Sequence, residues 1–291
     1  MPTVYLNGDL MPLEQARIPV MDRGFLFGDG VYEVIPVYDR RPFRLTAHLA
    51  RLQDSLDGIR LANPHPPAEW ARLVEAIVAA TDWNDMGVYL QVTRGSGPRD
   101  HAFPRDVRPT VFLMPLELSA PAPALVDSGV AAITAEDTRW ARCDIKATSL
   151  LANVLLRQLS VDAGCAETLL VRDGQLMEGS ASSVFLVKDG VILAPPRSRL
   201  VLPGITYDVV LELAAKEGLP CQVRPIAEAE LRGADEIWIT SSTKEILAVT
   251  TLDGQPVGDG RPGPLYRRMM ALYQTYKHAV MRGQTTPESE P

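Results

Sequence analysis

The amino-acid sequence predicts an α+β protein built from two domains. Strand-like and helix-like segments follow one another along its 291 residues, a length that suits two domains with a core each. A stretch of prolines and small residues without periodicity, typical of a linker, divides them. We predict a small N-terminal domain over residues 1–118, a linker over 119–126, a larger C-terminal domain over 127–283 and a disordered tail over 284–291.

The N-terminal part is predicted to combine strands with two helices. Asn7-Gly8 between two short runs indicates a hairpin, because these residues tolerate the positive φ angles of a tight turn. Leucine and isoleucine recurring at three and four after Leu45 predict an amphipathic helix with Arg51 on a flank of its apolar stripe. The predicted strands span residues 3–6, 30–38, 87–93 and 109–116, and the predicted helices span residues 45–61 and 67–80.

The C-terminal part also alternates strands and helices. Asp173-Gly174 and Asp189-Gly190 indicate turns, the second of them inside a hairpin. A helix is expected to begin near Gly204 with Asp208 in its first turn, where a negative charge suits the helix dipole. The predicted strands span residues 130–134, 167–171, 183–187, 191–194 and 236–240, and the predicted helices span residues 149–163, 204–213 and 263–281.

Composition excludes several classes of function. A formal net charge of −7 and a pI of about 5.2 argue against nucleic acid or an anionic membrane as a partner. No basic stretch followed by an apolar run opens the chain, and no apolar segment approaches the ~18 residues that span a bilayer. Cys143, Cys165 and Cys221 are odd in number and widely spaced, and the four histidines are scattered. We therefore expect a cytoplasmic protein with reduced thiols and no metal site.

Two short segments carry residue types suited to an aldehyde cofactor. Lys146 follows Cys143-Asp144-Ile145, and a lysine held in an apolar interior loses its proton more readily and becomes a nucleophile toward carbonyls. Glu178, followed by Gly179-Ser180, could keep a pyridine nitrogen protonated in the same cavity. A solvated surface lysine and an ordinary turn are the alternatives, and neither segment alone decides between the interpretations.

Three features are suited to an anion. After Pro203-Gly204 the amides of Ile205 and Thr206 would point outward at the positive end of a helix dipole, although an ordinary helix cap gives the same pattern. The hydroxyls of residues 240–243 could hold phosphate oxygens or make turns. Arg51 could pair with the same phosphate or with nothing.

A glycine-rich loop after the strand at 87–93 presents Arg99 and His101 close together. The planar guanidinium of arginine matches a carboxylate with two hydrogen bonds, and a neighbouring imidazole can add a further donor, so the loop is a candidate carboxylate trap. Tyr32 could donate to the same carboxylate. The alternatives are a solvated loop and a half-buried tyrosine that only packs.

These motifs together resemble the fold-type IV pyridoxal phosphate enzymes, and among them the D-amino acid transaminases. The resemblance covers residues 3–275 with the motifs in the expected order. The motifs are Asp22-Arg23-Gly24, residues 27–33, 48–52, 93–95, 98–101, 139–146, 178–180, 204–206 and 240–241. It implies a two-domain fold with a small N-terminal α/β domain and a larger, mixed β-barrel-like C-terminal domain with helices.

The resemblance also implies roles for individual residues. It implies pyridoxal 5′-phosphate as cofactor, Lys146 as the Schiff-base lysine and proton shuttle, and Glu178 as partner of the pyridine nitrogen. The implied phosphate ligands are Arg51, Ile205, Thr206 and Ser242, and the implied carboxylate site is Tyr32, Arg99 and His101. The last two would enter the active site of the other subunit, so a homodimer is implied. Ala181 and Ser183 depart from the family pattern, which carries serine and asparagine there.

The implied activity is ping-pong transamination between D-amino acids and α-keto acids. The loop with Arg99 and His101 favours this activity because it supplies a carboxylate trap. The same fold also serves branched-chain L-amino acid transaminases, (R)-amine transaminases and aminodeoxychorismate lyases, which remain alternatives. From a different class, a non-catalytic cofactor-binding or regulatory protein is a further alternative.

Overall fold

The computed structural model describes residues 2–106, 108–281 and 283. Among these residues the chain forms two compact units. Unit 1 contains the residues up to 119, the segment 145–150 and the residues from 279 onward, and unit 2 contains residues 120–144 and 151–278. The segment with Lys146 therefore groups with the N-terminal unit. The domain boundaries drawn from the sequence stay a prediction, and the predicted tail at 284–291 lies outside the described residues.

Unit 1 is a six-stranded antiparallel sheet with helices, in the strand order β2-β1-β6-β5-β3-β4. Its elements are β1 (Thr3–Leu6), β2 (Asp9–Pro12), α1 (Arg23–Phe27), β3 (Gly30–Tyr38), β4 (Arg41–Pro42), α2 (Leu45–Gly58), α3 (Pro67–Ala79), β5 (Met86–Thr93) and β6 (Thr110–Glu117), with a 3-10 turn at Leu13–Gln15. The predicted hairpin at Asn7-Gly8 is confirmed. The four strands and two helices predicted here are confirmed to within a few residues.

The core of unit 1 lies between the sheet and the apolar stripes of α2 and α3. Leu52, Leu56, Trp70 and Ile77 are fully buried in one cluster with strand residues such as Ile35. The spacing of the helical residues is the reason, since side chains three or four positions apart share one helix face. The segment 145–150 joins this unit through a bridge between Val31 of β3 and Ala147, two residues that belong to the same core cluster.

Unit 2 is a nine-stranded mixed sheet with helices, in the order β12-β11-β10-β13-β14-β7-β8-β9, and β15 pairs with β14. Its elements are α4 (Pro123–Ser128), β7 (Val130–Glu136), α5 (Leu151–Asp162), β8 (Glu167–Arg172), β9 (Gln175–Gly179), β10 (Ser183–Lys188), β11 (Val191–Ala194), α6 (Ile205–Lys216), β12 (Cys221–Val223), α7 (Glu228–Arg232), β13 (Glu236–Ser241), β14 (Glu245–Leu252), β15 (Gln255–Pro256) and α8 (Pro264–Met281), whose last three residues group with unit 1. The predicted α+β class is confirmed.

The predicted C-terminal elements are all present, and several further ones were not predicted. The hairpin of β10 and β11 around Asp189-Gly190 pairs as expected. The strands β9, β12, β14 and β15 and the helices α4 and α7 are additional. Helix α4 begins at Pro123, inside the predicted linker, because proline fits the first turn of a helix, where its missing N–H costs nothing. No helix in the described part of the chain is long and apolar enough to cross a membrane.

Candidate functional site

Lys146 lies in unit 1 beside the strand that carries Tyr32. The amide of Tyr32 donates to the carbonyl oxygen of Lys146 at 3.0 Å, and the amide of Lys146 donates to the hydroxyl of Ser55 at 3.1 Å. These bonds hold the lysine backbone between β3 and α2. The side chain is half-buried rather than deep in the interior, and its Nζ lies 4.2 Å from the centroid of the Tyr32 ring. Lys146 is therefore neither fully exposed nor in the apolar interior that the sequence argument assumes, and its role stays a prediction.

A buried ionic cluster lies beside this lysine segment. Glu33 of β3 is completely buried and accepts two hydrogen bonds from the Arg51 guanidinium, at 2.7 and 2.8 Å, and one contact of 2.7 Å with Nδ1 of His48. Burial alone would raise the pKa of Glu33, but the adjacent Arg51 and His48 hold that pKa well below its usual range. Burial lowers the pKa of His48, which favours its neutral form. Arg51 is thus held in one orientation by a carboxylate.

The ring of Tyr32 has an aromatic neighbour. Tyr89 of β5 stacks on it, with the ring centroids 5.7 Å apart, and the Tyr89 hydroxyl donates to the side chain of Gln91 at 2.6 Å. Burial raises the pKa of Tyr89 to about 12. The half-buried Tyr32 therefore packs between an aromatic ring and the Lys146 side chain, and the two predicted residues lie together.

Arg99 and His101 both contact the ring of Phe27 in unit 1, so the two residues lie close together, as the sequence predicts. The guanidinium carbon of Arg99 is 5.7 Å from the centroid of Phe27, and the imidazole of His101 meets that ring edge-on at 5.6 Å. Both residues are exposed. Arg23 holds the loop in place, because its guanidinium donates to the carbonyl oxygens of Asp100 at 2.5 Å and Ala102 at 3.4 Å. Arg99 and His101 thus lie side by side on a loop that Arg23 holds.

Glu178 is the centre of a buried cluster in unit 2. Its carboxylate accepts from the Arg139 guanidinium at 2.5 Å and from the amide of Leu202 at 3.1 and 3.2 Å. Arg139 also pairs with Asp137 through its Nε at 2.9 Å. Burial raises the pKa of Glu178 to about 7, against the opposing effect of Arg139. A carboxyl group with such a pKa can hold or release a proton near neutral pH.

The residues around Glu178 leave a small pocket. Its lining includes Glu178, Ser183, Leu202 and Tyr207. Arg139 and the amide of Leu202 were not identified from the sequence. The signal for Arg139 was present only as part of a motif, because sequence does not show which arginines are buried.

The first turn of α6 fits an anion. The residue at its N-terminal cap, Gly204, has no side chain to accept a hydrogen bond from the first amides, and Ile205 and Thr206 are both buried. The first amides of a helix have no partner within it and carry the positive end of its dipole. A Cβ on Gly204 would lie 2.5 Å from the hydroxyl of Ser183, so glycine permits a close approach between this turn and β10.

The hydroxyls of residues 240–243 divide between two uses. Ser241 accepts from the amide of Lys244 at 3.1 Å and lies 3.4 Å from the Thr243 hydroxyl, so it helps to form the turn between β13 and β14. Ser242 lies in that turn and is half-buried. Thr240 is buried in β13, and its hydroxyl oxygen has no hydrogen-bond partner among the residues that the structure describes.

A second buried carboxylate, Glu167, fixes the residues that follow Glu178. It accepts from the hydroxyls of Ser180 at 2.5 Å and Ser182 at 2.8 Å, and it pairs with Lys244 at 3.0 Å. Ala181 lies between the two serines and is exposed. The departure from the family pattern at Ala181 therefore leaves this network in place.

Over the described ranges, no cluster of metal-binding side chains is found.

Sequence comparisons place the chain among aminotransferases. The family described as amino-transferase class IV matches residues 30–252. A D-alanine aminotransferase of Bacillus licheniformis is 40% identical over 271 residues, which cover 93% of this chain and 95% of that protein. A D-alanine aminotransferase of Listeria monocytogenes is 39% identical over 282 residues, which cover 96% of each.

Solved structures of aminotransferases share the fold. The branched-chain amino acid aminotransferase of Escherichia coli superposes with a TM-score of 0.90 at 25% identity, covering 99% of this chain and 97% of that one. The branched-chain aminotransferase of Thermoproteus uzoniensis, solved with norvaline, gives a TM-score of 0.87 at 26% identity, covering 97% and 95%. A further branched-chain amino acid aminotransferase, solved with pyridoxamine 5′-phosphate, gives a TM-score of 0.89 at 27% identity, covering 98% and 95%. The predicted fold type is confirmed by these similarities.

Proposed function

Because the chain belongs to the amino-transferase class IV family, we propose that it transfers the amino group of D-amino acids to α-keto acids with pyridoxal 5′-phosphate as cofactor. The observation that carries the choice of D-amino acids is the identity of 34–40% with D-alanine aminotransferases over nearly the whole chain. The solved branched-chain enzymes are 24–27% identical. Branched-chain L-amino acid transamination is the second candidate.

The residues of the chain fit this cofactor. Glu178 is a buried carboxyl suited to a pyridine nitrogen, and the start of α6 is suited to a phosphate. When bound, pyridoxal phosphate supplies an aldehyde that condenses with amines and a ring that withdraws electrons from the substrate's α-carbon. Lys146 is the proposed attachment residue. Its Nζ would then remove the α-proton of the substrate and deliver a proton to the C4′ carbon of the cofactor, acting as general base and general acid in turn.

The ionic clusters support residues that would hold the cofactor. Glu33 fixes the orientation of Arg51, which we assign to the phosphate together with Ile205, Thr206 and Ser242. In unit 2, Arg139 and the amide of Leu202 hold the Glu178 carboxylate in place. A fixed carboxylate needs no reorganisation when it receives a protonated ring nitrogen, which is how preorganised charge assists catalysis.

Arg99 and His101 are proposed to bind the substrate carboxylate, with Tyr32 as a further donor. The exposed guanidinium and imidazole lie against one ring, so a carboxylate could accept hydrogen bonds from both. We further propose a cytoplasmic homodimer in which these two residues act in the partner's site. Mixed dimers test this assignment, because Lys146→Ala chains keep Arg99 while Arg99→Ala chains keep Lys146.

In such a mixture, activity above that of either variant alone is expected, since one intact site forms only when the two residues come from different chains. If Arg99 acted within its own chain, mixing would restore nothing. The two variants must be unfolded and refolded together so that subunits exchange.

The reaction itself is tested with the yellow holoenzyme and one amino donor at a time. D-alanine is expected to convert the bound cofactor from its aldehyde form to its amine form, whereas L-leucine should leave the spectrum unchanged. Conversion by L-leucine alone would establish the branched-chain alternative. Release of pyruvate from aminodeoxychorismate, with the bound cofactor still in its aldehyde form, would indicate a lyase. No response to any of these compounds would indicate a non-catalytic cofactor-binding protein.

A further inference from the structure

Thr240 has a buried hydroxyl that the fold does not use. The residue is 1% exposed, and its Oγ1 has no hydrogen-bond partner among the described residues. Buried polar atoms are nearly always paired, and an exception calls for an unplaced ion, water or ligand. The direction of this side chain shows where such a group would lie.

The side chain of Thr240 faces the start of α6. Thr240 lies directly opposite Ser183 in the antiparallel pair of β13 and β10, so the two side chains share one face of the sheet. On that face Phe185, two residues after Ser183, stacks on Tyr207 of α6 with the centroids 4.9 Å apart. The Ser183 hydroxyl would lie 2.5 Å from a Cβ built on Gly204, at the N-terminal cap of the helix.

The start of α6 supplies what an anion needs and lacks a cap of its own. The helix has 12 residues, and Gly204 contributes no side-chain hydrogen bond to its first amides. Those amides and the helix dipole favour a negative charge. A hydroxyl can donate one hydrogen bond to such an anion, which would satisfy Thr240.

We propose that the hydroxyls of Thr240 and Ser183 bind the phosphate of the cofactor at the start of α6, as two positioning residues beyond Ile205, Thr206 and Ser242. This proposal rests on the proposed function, because it takes the anion to be the phosphate of pyridoxal phosphate. Ser183 stands where the family pattern has asparagine, so its hydroxyl is a feature of this chain. The two hydroxyls would fix the phosphate on the side of the sheet, opposite the helix amides.

The test compares two ligands that differ only in the phosphate. Binding of pyridoxal 5′-phosphate and of pyridoxal to the cofactor-free protein is measured for the wild type, Thr240→Val and Ser183→Ala. Thr250→Val is the matched control, because Thr250 is also buried in unit 2 but donates to the carbonyl oxygen of Ser128 at 3.1 Å. The melting temperature of each cofactor-free variant is recorded as well.

Thr240→Val is expected to raise the Kd for pyridoxal phosphate roughly tenfold or more, because a hydrogen bond to a charged group is lost. Its Kd for pyridoxal, which lacks the phosphate, should change less than about twofold. The melting temperature of the cofactor-free variant should not fall, because the hydroxyl has no partner among the described residues. Ser183→Ala should likewise raise the Kd for pyridoxal phosphate and leave the Kd for pyridoxal nearly unchanged. Thr250→Val should lower the melting temperature and leave both Kd values unchanged.

If the substitutions raised the Kd of both ligands equally, or left the Kd for pyridoxal phosphate unchanged, the proposal would be overturned and the proposed function would stay intact. A wild-type protein that binds pyridoxal phosphate without attachment to Lys146, shown by borohydride trapping, would instead refute the proposed function. The two failures are therefore separate observations.

Discussion

Replacing Glu178 with glutamine should change how the stability of the cofactor-free protein depends on pH. Burial raises the pKa of this carboxyl from 4.5 to about 7 in the folded protein. The folded state therefore keeps a proton that the unfolded chain has already released. Such a group contributes stability below pH 4.5, and the contribution is lost as the pH rises toward about 7. Glutamine cannot titrate, so the variant lacks this loss.

The size of the effect follows from the two pKa values. Each pKa unit corresponds to about 1.4 kcal/mol, and between pH 5 and pH 8 the wild type should lose about 2 to 3 kcal/mol of unfolding free energy through this group. The attraction of Arg139 for the ionised carboxylate is one of the causes that set the folded-state pKa, so this difference already includes it. The free energy of unfolding of Glu178→Gln, relative to that of the wild type, should therefore rise by about 2 to 3 kcal/mol over this range.

Urea unfolding of both cofactor-free proteins at pH 5, 6, 7 and 8 provides the measurement. Other titrating groups, such as His48, act in both proteins and cancel in the difference. A difference that stays constant from pH 5 to pH 8 would refute the raised pKa of Glu178.

Three further outcomes are expected. Arg99→Ala should weaken the affinity for D-alanine more than tenfold in steady-state kinetics, because a charge-assisted contact is worth about 2 kcal/mol. The control Arg105→Ala, in the same exposed loop, should match the wild type. Lys146→Met should abolish borohydride-trapped cofactor in digested protein yet keep the wild-type melting temperature to within a few degrees. Glu33→Gln should cost about 3 kcal/mol in urea unfolding, because it leaves the buried Arg51 guanidinium without its counter-charge; equal midpoints for variant and wild type would contradict the ionic cluster.

The sequence predicted the elements whose pattern is local. Asn7-Gly8 determines a turn by itself, and the stripe with Leu52 and Leu56 determines a helix face. Strand β14 was missed, because its residues are buried almost without interruption and show no alternation. Helix α1 was also missed, because its five residues are too few to show a repeating apolar pattern. The side chain of Asp22 caps it by accepting from the amide of Gly24.

The roles proposed for the candidate-site residues come from the resemblance to the fold-type IV enzymes, because residue type alone leaves an alternative interpretation at each position. Lysine, glutamate, arginine and histidine at the proposed positions have recognisable roles, and Arg99 and His101 do share a ring. The supporting residues were not predicted, because their role depends on long-range burial. Glu33 and Arg51 are 18 positions apart, and Arg139 and Glu178 are 39 apart. Hydrophobic patterning cannot show which distant charges a fold brings together.

The bonds from Arg23 to the loop of Arg99 have a consequence for engineering donor preference. A guanidinium anchored to Asp29 at 2.8 Å and bonded to main-chain oxygens holds the loop without using the identity of the loop's side chains. On the proposed assignment of Arg99 and His101 to the substrate carboxylate, exchanging either residue should alter which acids are accepted, while the bonds from Arg23 still hold the loop backbone. A loop that is already held loses little conformational entropy when it binds a new substrate. Libraries that randomise these two positions and retain Arg23 are the economical route to new amino donors.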